Sequence, residues 1–135
     1  MICIYCRHPT SVVNSRHNRR DNKVWRRRRC ETCGAVFTSI ERPEYASSFV
    51  VQKSNSQLTS FVRDKLFVSI FKSCGHRPDP ITDAMALTDT VLSKIPDVAK
   101  DGLIPASKLT ALTLSTLKRF DTAAAVQYEA FHPLR

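Results

Sequence analysis

Four of the five cysteines form two Cys-x-x-Cys pairs, Cys3 with Cys6 and Cys30 with Cys33, with 23 residues between the pairs. A Cys-x-x-Cys loop brings two thiolates to one metal ion, and two such loops complete the tetrahedron that Zn²⁺ prefers. Four thiolates fill the coordination sphere, so no position remains for an activated water. The pattern predicts one structural zinc ion without a catalytic role.

Other interpretations of these cysteines are redox-active thiols, a cysteine-lined core, or an iron site of the rubredoxin type. Electron transfer at such an iron site has no use for the arginines that precede Cys30. A disulfide framework is not expected because no export signal is recognised and cytosolic thiols are kept reduced. With four thiolates available, His8 and His17 are interpreted as surface residues.

The segment VWRRRRCETC places four arginines, Arg26 to Arg29, directly before the second cysteine pair. In a β-strand, Arg26 and Arg28 would face one way and Arg27 and Arg29 the other. A solvated charge cluster is the alternative, but Arg16, Arg19, Arg20 and Lys23 add to the same short segment. Guanidinium groups suit phosphate oxygens and the guanine edge, so nucleic-acid binding is favoured.

The distribution of charge supports this interpretation. The net charge is +9, of which residues 1–45 contribute +6 and residues 46–135 contribute +3. A basic surplus in the first third indicates a polyanionic partner for that part. No apolar run is long enough to cross a bilayer, so no membrane partner is expected and a cytoplasmic protein is the default.

The elements that must position these residues form two predicted domains, residues 1–46 and residues 47–135. In the first, β-favouring segments at residues 12–13, 24–25 and 36–40 predict a small antiparallel sheet between the cysteine loops. Too few apolar residues occur there to stabilise the segment by burial, so a metal would contribute much of its folding energy. Residues 41–48 have the composition of a linker.

The second domain is predicted to be a β-hairpin on a small helical bundle, which makes the fold class α+β. FVVQK and LTSF are the hairpin strands, with Asn55 as the left-handed turn residue. Helices are expected at residues 62–73, capped by Gly75, at residues 81–95, at 104–120 with Pro105 at its start, and at 121–131 with Asp121 as N-cap. Pro96 and Gly102 mark a predicted loop.

The residues also resemble a known family. The stretches CIYC, VVNSR, RRRRCETCGAVFTSIER, VVQK, FVRDKL, CGHRP, IPASKL and LKRFD occur in the order found in bacterial NrdR-type repressors of ribonucleotide reductase genes. The resemblance covers nearly the whole chain. It implies an N-terminal zinc ribbon followed by an ATP-cone, a small nucleotide-binding domain.

The resemblance implies a repressor whose ribbon binds double-stranded operator DNA and whose cone binds ATP or dATP, with the nucleotide changing the homo-oligomer. It implies a bacterial protein that associates with the nucleoid when bound to DNA. The DNA-binding residues carried over are Ser15, Arg16, Arg26, Arg27, Arg28 and Arg29. The nucleotide-binding residues carried over are Val50, Gln52, Lys53 and Lys65.

Two departures from the family pattern concern the nucleotide site. The family's basic doublet and Asp-Gly turn are replaced by QKSNS, with Gln52 in place of a basic residue, and Ala125 stands where a tyrosine is expected. From spacing alone, Lys53 and Lys65 either contact a polyphosphate or serve solubility. The alternative function is a nucleic-acid-binding module whose cone serves only oligomerisation. No nucleophile with an adjacent base is apparent, so an enzyme is not expected.

Overall fold

The computed structural model describes residues 1–133, which form two compact units, Met1–Pro43 and the segment from Glu44 onward. The first unit contains only β-strands among its regular elements, and the second is mostly helical. The predicted α+β class is therefore confirmed. Within residues 1–133, every helix is too short or too polar to cross a lipid bilayer.

The first unit is a three-stranded antiparallel sheet in the order β1-β2-β3. Its strands are β1 (Thr10–Asn18), β2 (Lys23–Cys30) and β3 (Val36–Glu41). Each contains one of the β-favouring segments identified in the sequence. The pairing of β1 with β2 shifts by one residue between Val12 and Asn14, which is a β-bulge at Val13.

Burial in the first unit is confined to two side chains. Cys3 and Cys30 are 1% and 0% exposed, and no other residue between Met1 and Pro43 is classed as buried. Both faces of the sheet therefore lack an apolar covering from within the unit. A segment of this length without a core needs another source of folding energy, as the composition indicates.

A second sheet lies in the second unit, in the order β5-β4-β6. Its strands are β4 (Val50–Gln52), β5 (Leu58–Ser60) and β6 (Leu103–Pro105). The β4-β5 hairpin was expected, whereas β6 was not, and β6 runs parallel to β4. The sequence does not predict β6, because three residues that end in proline carry almost no strand signal of their own. β6 forms by pairing with β4, and the backbone N–H of Val50 donates to the carbonyl of Gly102 at 2.9 Å just before β6 begins.

The hairpin turn differs in one residue from the prediction. Ser56, with φ of 63°, is the left-handed residue, and Asn55 is not. The side-chain Oδ1 of Asn55 instead accepts a hydrogen bond from the backbone N–H of Gln57 at 3.1 Å. In this Asx-type turn the side chain of Asn55 is the hydrogen-bond acceptor, and the positive φ falls on the next residue, Ser56.

Five helices complete the second unit. They are α1 (Arg63–Ser73), α2 (Pro80–Ser93), α3 (Ile95–Val98), α4 (Ala106–Phe120) and α5 (Thr122–Phe131). The predicted loop at Pro96 is wrong, because Pro96 lies in the first turn of α3, where its missing N–H costs nothing. Pro105 precedes α4 as its N-cap.

The expected glycine cap of α1 is also wrong. Gly75 does not have a positive φ, and the C-cap of α1 is Cys74, whose N–H donates to the carbonyls of Ile70 and Phe71. Cys74 is fully buried in the core, as expected for a small apolar residue near a helix end. The core is formed by apolar side chains from all five helices and from β6, including Ile70, Val91, Ile95, Ile104, Leu117 and Tyr128.

A charged cluster fixes the start of α5. Asp121 caps the helix, accepting from Ala124 N at 3.0 Å, as predicted. The same carboxylate accepts from Arg77 Nη1 at 3.3 Å and lies 3.1 Å from His76 Nε2. Arg77 also donates to Asp83 of α2 at 3.0 Å. One side chain therefore links the loop after α1 to both α2 and α5.

This cluster predicts a pH dependence of stability. The Ala124 N–H, with His76 beside the carboxylate, lowers the pKa of Asp121 to about 2. A depressed carboxyl pKa stabilises the fold above the unfolded value of about 3.9, and that contribution is lost as the pH falls toward 2. We expect Asp121→Asn to lower the melting temperature of the helices at pH 7, and the deficit to shrink between about pH 4 and pH 2.

The measurement is thermal unfolding followed by circular dichroism at 222 nm. Asp97→Asn is the matched control, because Asp97 is exposed and accepts no side-chain cap bond within the described residues. A deficit for Asp121→Asn that stays constant from pH 7 to pH 2 would show that the carboxylate charge does not contribute.

Candidate functional site

The four paired cysteines converge at one end of the first sheet. Their Sγ atoms all lie within 4.8 Å of one another. The cross-loop distances are 3.7 Å from Cys3 Sγ to Cys33 Sγ and 3.4 Å from Cys6 Sγ to Cys30 Sγ. A tetrahedral zinc with bonds of about 2.3 Å would separate its sulfurs by about 3.8 Å, so the donor set fits Zn²⁺.

Two similar backbone loops hold these sulfurs. In the first, Arg7 N donates to Cys3 O at 3.0 Å, and in the second, Gly34 N donates to Cys30 O at 2.9 Å. The residue after each second cysteine has a positive φ, 63° at Arg7 and 72° at Gly34. The left-handed residue turns the chain after each pair so that both cysteines of the pair point to one centre.

The thiols influence one another's protonation. The backbone N–H of Cys33 is the largest of the interactions that lower the pKa of Cys30 to about 6. At Cys6 the His8 N–H lowers the pKa, but desolvation and the neighbouring thiols outweigh it and raise the pKa to about 12. Four crowded thiols therefore do not all ionise by themselves, whereas a divalent cation at their centre stabilises four thiolates together.

The two histidines near this centre stand outside it. Between residues 1 and 133, the ligand cluster comprises the four cysteines alone. His8 Nδ1 lies 3.0 Å from the carbonyl of Cys6, and His17 is exposed on β1. Both are surface residues, as expected.

The four arginines divide between the two faces of the sheet. Arg26 donates to Glu41 Oε2 from Nε at 3.1 Å and from Nη2 at 3.0 Å, and to Ser15 Oγ from Nη1 at 3.1 Å. Arg28 Nε donates to Ser39 Oγ at 2.9 Å. We call this side the paired face, and define it by Ser15, Arg26, Arg28, Ser39 and Glu41.

The opposite side of the sheet carries the other arginines. Strand register places Arg27 opposite Asn14 and Thr38, Trp25 opposite Arg16 and Ile40, and Arg29 opposite Ser11 and Val36. We call this the open face, and define it by Asn14, Arg16, Trp25, Arg27, Arg29, Thr38 and Ile40. All seven side chains are exposed, and five of them line a cavity of about 260 Å³. Arg16, Arg27 and Arg29 make no ion pair within the described part of the chain.

In the second unit, Lys53 of the hairpin and Lys65 of α1 line one cavity of about 280 Å³. Val51 lines it as well, whereas Val50 does not and is 36% exposed. Alternation along β4 explains the difference, since neighbouring residues point to opposite sides. Gln52 lines a second cavity of about 440 Å³, which it shares with Lys53, Ser107 and Thr110.

Sequence reasoning missed two residues of the first cavity, Tyr128 and His132. Their rings stack with centroids 4.2 Å apart, and His132 Nε2 lies 2.9 Å from Ser69 Oγ. Only the packing of α5 against α1 brings these two residues to the cavity, and the contacting residues Ser69 and His132 are more than sixty positions apart in the sequence. Ala125, at the position where a tyrosine was expected, is buried in the core and lines neither cavity.

Comparison with known proteins agrees with this arrangement. Residues 1–41 match the family model described as "Transcriptional repressor NrdR-like, N-terminal domain". A transcriptional repressor NrdR from Roseiflexus sp. (strain RS-1) is 31% identical over 134 residues, covering 98% of this chain and 86% of the relative. The chain belongs to the NrdR family of transcriptional repressors.

Other NrdR proteins show a similar relationship. The NrdR of Thermoanaerobacter sp. (strain X514) is 30% identical, covering 98% of this chain and 83% of the relative. The NrdR of Dehalococcoides mccartyi strain 195 is 32% identical, covering 98% and 74%. These relatives are transcriptional repressors, which is a regulatory and non-enzymatic role. The expectation from the sequence that this chain is not an enzyme is therefore confirmed. The first unit is thus the NrdR zinc ribbon, with four cysteines positioned to bind a metal.

The NrdR ribbon should contain one zinc ion per chain, and Cys30→Ser should release it. Structural zinc contributes on the order of 10 kcal/mol in comparable small sites, and this unit has no apolar core to replace it. We expect loss of the sheet while α1–α5 remain folded. Elemental analysis and circular dichroism measure the two effects.

The matched control is Cys74→Ala, which removes the one cysteine outside the cluster and should keep the full zinc content. A zinc content well below one per chain in the wild type would contradict the assignment.

Proposed function

We propose that this NrdR-family chain represses transcription by binding double-stranded operator DNA of ribonucleotide reductase genes through the zinc ribbon. The observation that carries the proposal is a sheet that ends at a four-cysteine cluster and has three exposed arginines free of acidic partners within the described residues. The arginines would displace the cations that are condensed on the phosphates of the free duplex. The candidate contacts remain Ser15, Arg16 and Arg26 to Arg29.

We further propose that the second unit is an ATP-cone that binds ATP or dATP. Support comes from Lys53 and Lys65, which line one cavity and can make charge-assisted bonds to phosphate oxygens. Lys53, Ala106 and Thr110 line both this cavity and its neighbour, so one nucleotide could extend across the two. Val50 and Gln52 remain predicted contacts, with Gln52 facing the second cavity.

Nucleotide identity would act on DNA binding by changing the homo-oligomer. A ligand moves an assembly equilibrium only if it binds the alternative assemblies with different affinity. ATP and dATP would therefore have to favour different assemblies. The expected location of the protein is the cytoplasm, on the nucleoid when it is bound to DNA.

A second candidate is a DNA-binding module whose cone serves only oligomerisation. The replacement of a basic residue by Gln52 favours this alternative, because it removes one positive charge from the hairpin. A nucleotide titration distinguishes the two functions.

Binding of the zinc-loaded protein to a mixed-sequence duplex should weaken steeply with salt. Each phosphate contact contributes about 0.9 to the slope of log affinity against log salt concentration, so two phosphate contacts predict a slope of at least about 1.8 in magnitude. Fluorescence anisotropy at several salt concentrations measures it. Absence of binding to every duplex at low salt would refute the DNA-binding function.

Calorimetry should show ATP or dATP binding that Lys53→Ala and Lys65→Ala each weaken by roughly tenfold or more, the usual loss for a charged hydrogen bond. Gln52→Lys should strengthen it. Lys118→Ala, at an exposed position on α4 outside both cavities, is the matched control. Sizing with each nucleotide should reveal different assemblies. If neither nucleotide binds at millimolar concentration, the oligomerisation-only alternative is correct.

A further inference from the structure

The arginine run does not act as one unit, because its members occupy two different electrostatic environments. On the paired face, Arg26 is held by Glu41 and Ser15, and Arg28 by Ser39. The strand residues of the open face include no Asp or Glu, and their arginines have no ion-pair partner among residues 1–133.

We propose that the open face alone contacts the duplex, and that Arg26 and Arg28 are framework residues that do not touch it. This inference rests on the proposed DNA-binding function and narrows it. Arg27 and Asn14 would read base edges in the major groove, with Arg16 and Arg29 on the flanking phosphates. Trp25 and Thr38 would lie at the contact.

Charge excludes the paired face. A phosphate approaching Arg26 would also approach Glu41, whose side chain is 66% exposed. It would have to compete for a guanidinium that is already hydrogen-bonded at three nitrogens. The Coulomb repulsion from Glu41 offsets the attraction of the arginine. On the open face the same phosphate meets only positive charges.

Geometry places Arg27 at the centre of the contact. It lies on the middle strand, with the amide of Asn14 on one side and the hydroxyl of Thr38 on the other. The outer strands are about 10 Å apart, comparable with the width of about 12 Å of the major groove. Arginine matches guanine O6 and N7, and asparagine matches adenine N6 and N7, so this cross-strand pair has the chemistry of base recognition.

Trp25 provides a test within the wild-type chain. It is the only tryptophan, is 46% exposed, and lies on the open face between Arg16 and Ile40. A duplex seated on this face would cover the indole and change its fluorescence. A duplex on the paired face would leave the indole in water.

The decisive comparison is Arg27→Ala against Arg28→Ala, because the two variants remove the same charge from neighbouring positions on opposite faces. The probes are a mixed-sequence duplex and a duplex selected from a random pool with the wild-type chain. We expect Arg27→Ala to weaken binding to the selected duplex by about 5- to 150-fold and to reduce the preference over mixed sequence. Arg28→Ala should change either affinity less than about twofold.

Phosphate contacts are tested separately with Arg16→Ala plus Arg29→Ala, which should flatten the salt slope by about 1.8, while Arg26→Ala plus Arg28→Ala should leave it unchanged. Zinc content verifies that each variant is folded. If Arg28→Ala loses zinc, Arg28→Gln, which removes the charge but keeps an amide that can donate a hydrogen bond, replaces it in the comparison.

The outcomes separate the two levels of the proposal. A wild-type chain that binds no duplex refutes the proposed function itself. If the wild type binds but Arg28→Ala weakens binding as much as Arg27→Ala, or the Trp25 fluorescence stays unchanged on saturation, only the assignment of the face is overturned. It is also overturned if Arg27→Ala alters the sedimentation of the free protein and leaves DNA affinity intact, since the open face would then join copies of this chain.

Discussion

The first unit depends on the convergence of four sulfurs that are positioned to bind one metal ion. Its only buried residues, Cys3 and Cys30, are themselves members of the cysteine cluster, so the interior of the ribbon is this cluster. β2 ends at Cys30, and the strand that carries the arginines is therefore anchored at the centre by its last residue. The position of every guanidinium on the sheet follows from that anchor.

The second unit is stabilised by an apolar core and not by a cysteine cluster. Its apolar side chains form a shared core, and each fully buried Leu or Ile contributes about 1.5–3 kcal/mol, so no metal is needed. A polar link remains important, because Arg77 connects the loop after α1 to the cap of α5 through Asp121. Helix α5 carries Tyr128 to the cavity that Lys65 also lines. The packing of the bundle thus determines which side chains face that cavity.

The extent to which the sequence predicted this structure follows from the range of the interactions. The cysteine cluster and the alternation of the arginines were predictable, since loop spacing and the two-residue period of a strand are local properties. β6 was missed because three residues form a strand only when a distant one offers its edge. His132 was missed because its neighbours in the cavity come from α1. The sequence could not show which face of the sheet carries the unpaired arginines, because the ion pair of Arg26 is with Glu41, fifteen residues away.

The bulge at Val13 has a consequence for how this ribbon can vary. Val12 pairs with Arg28 and Asn14 pairs with the next residue of β2, Arg27, so Val13 has no partner. Beyond this extra residue, Asn14 and Arg16 lie on the open face. Removal of Val13 would restore one-to-one pairing and leave Asn14 opposite Arg27 and Arg16 opposite Trp25, so both side chains would stay on the open face. The bulge is therefore the position in β1 where one residue can be lost without changing the faces of the residues that follow. With the bulge retained, a one-residue deletion elsewhere in β1 would instead shift the register and turn the residues beyond it to the opposite face.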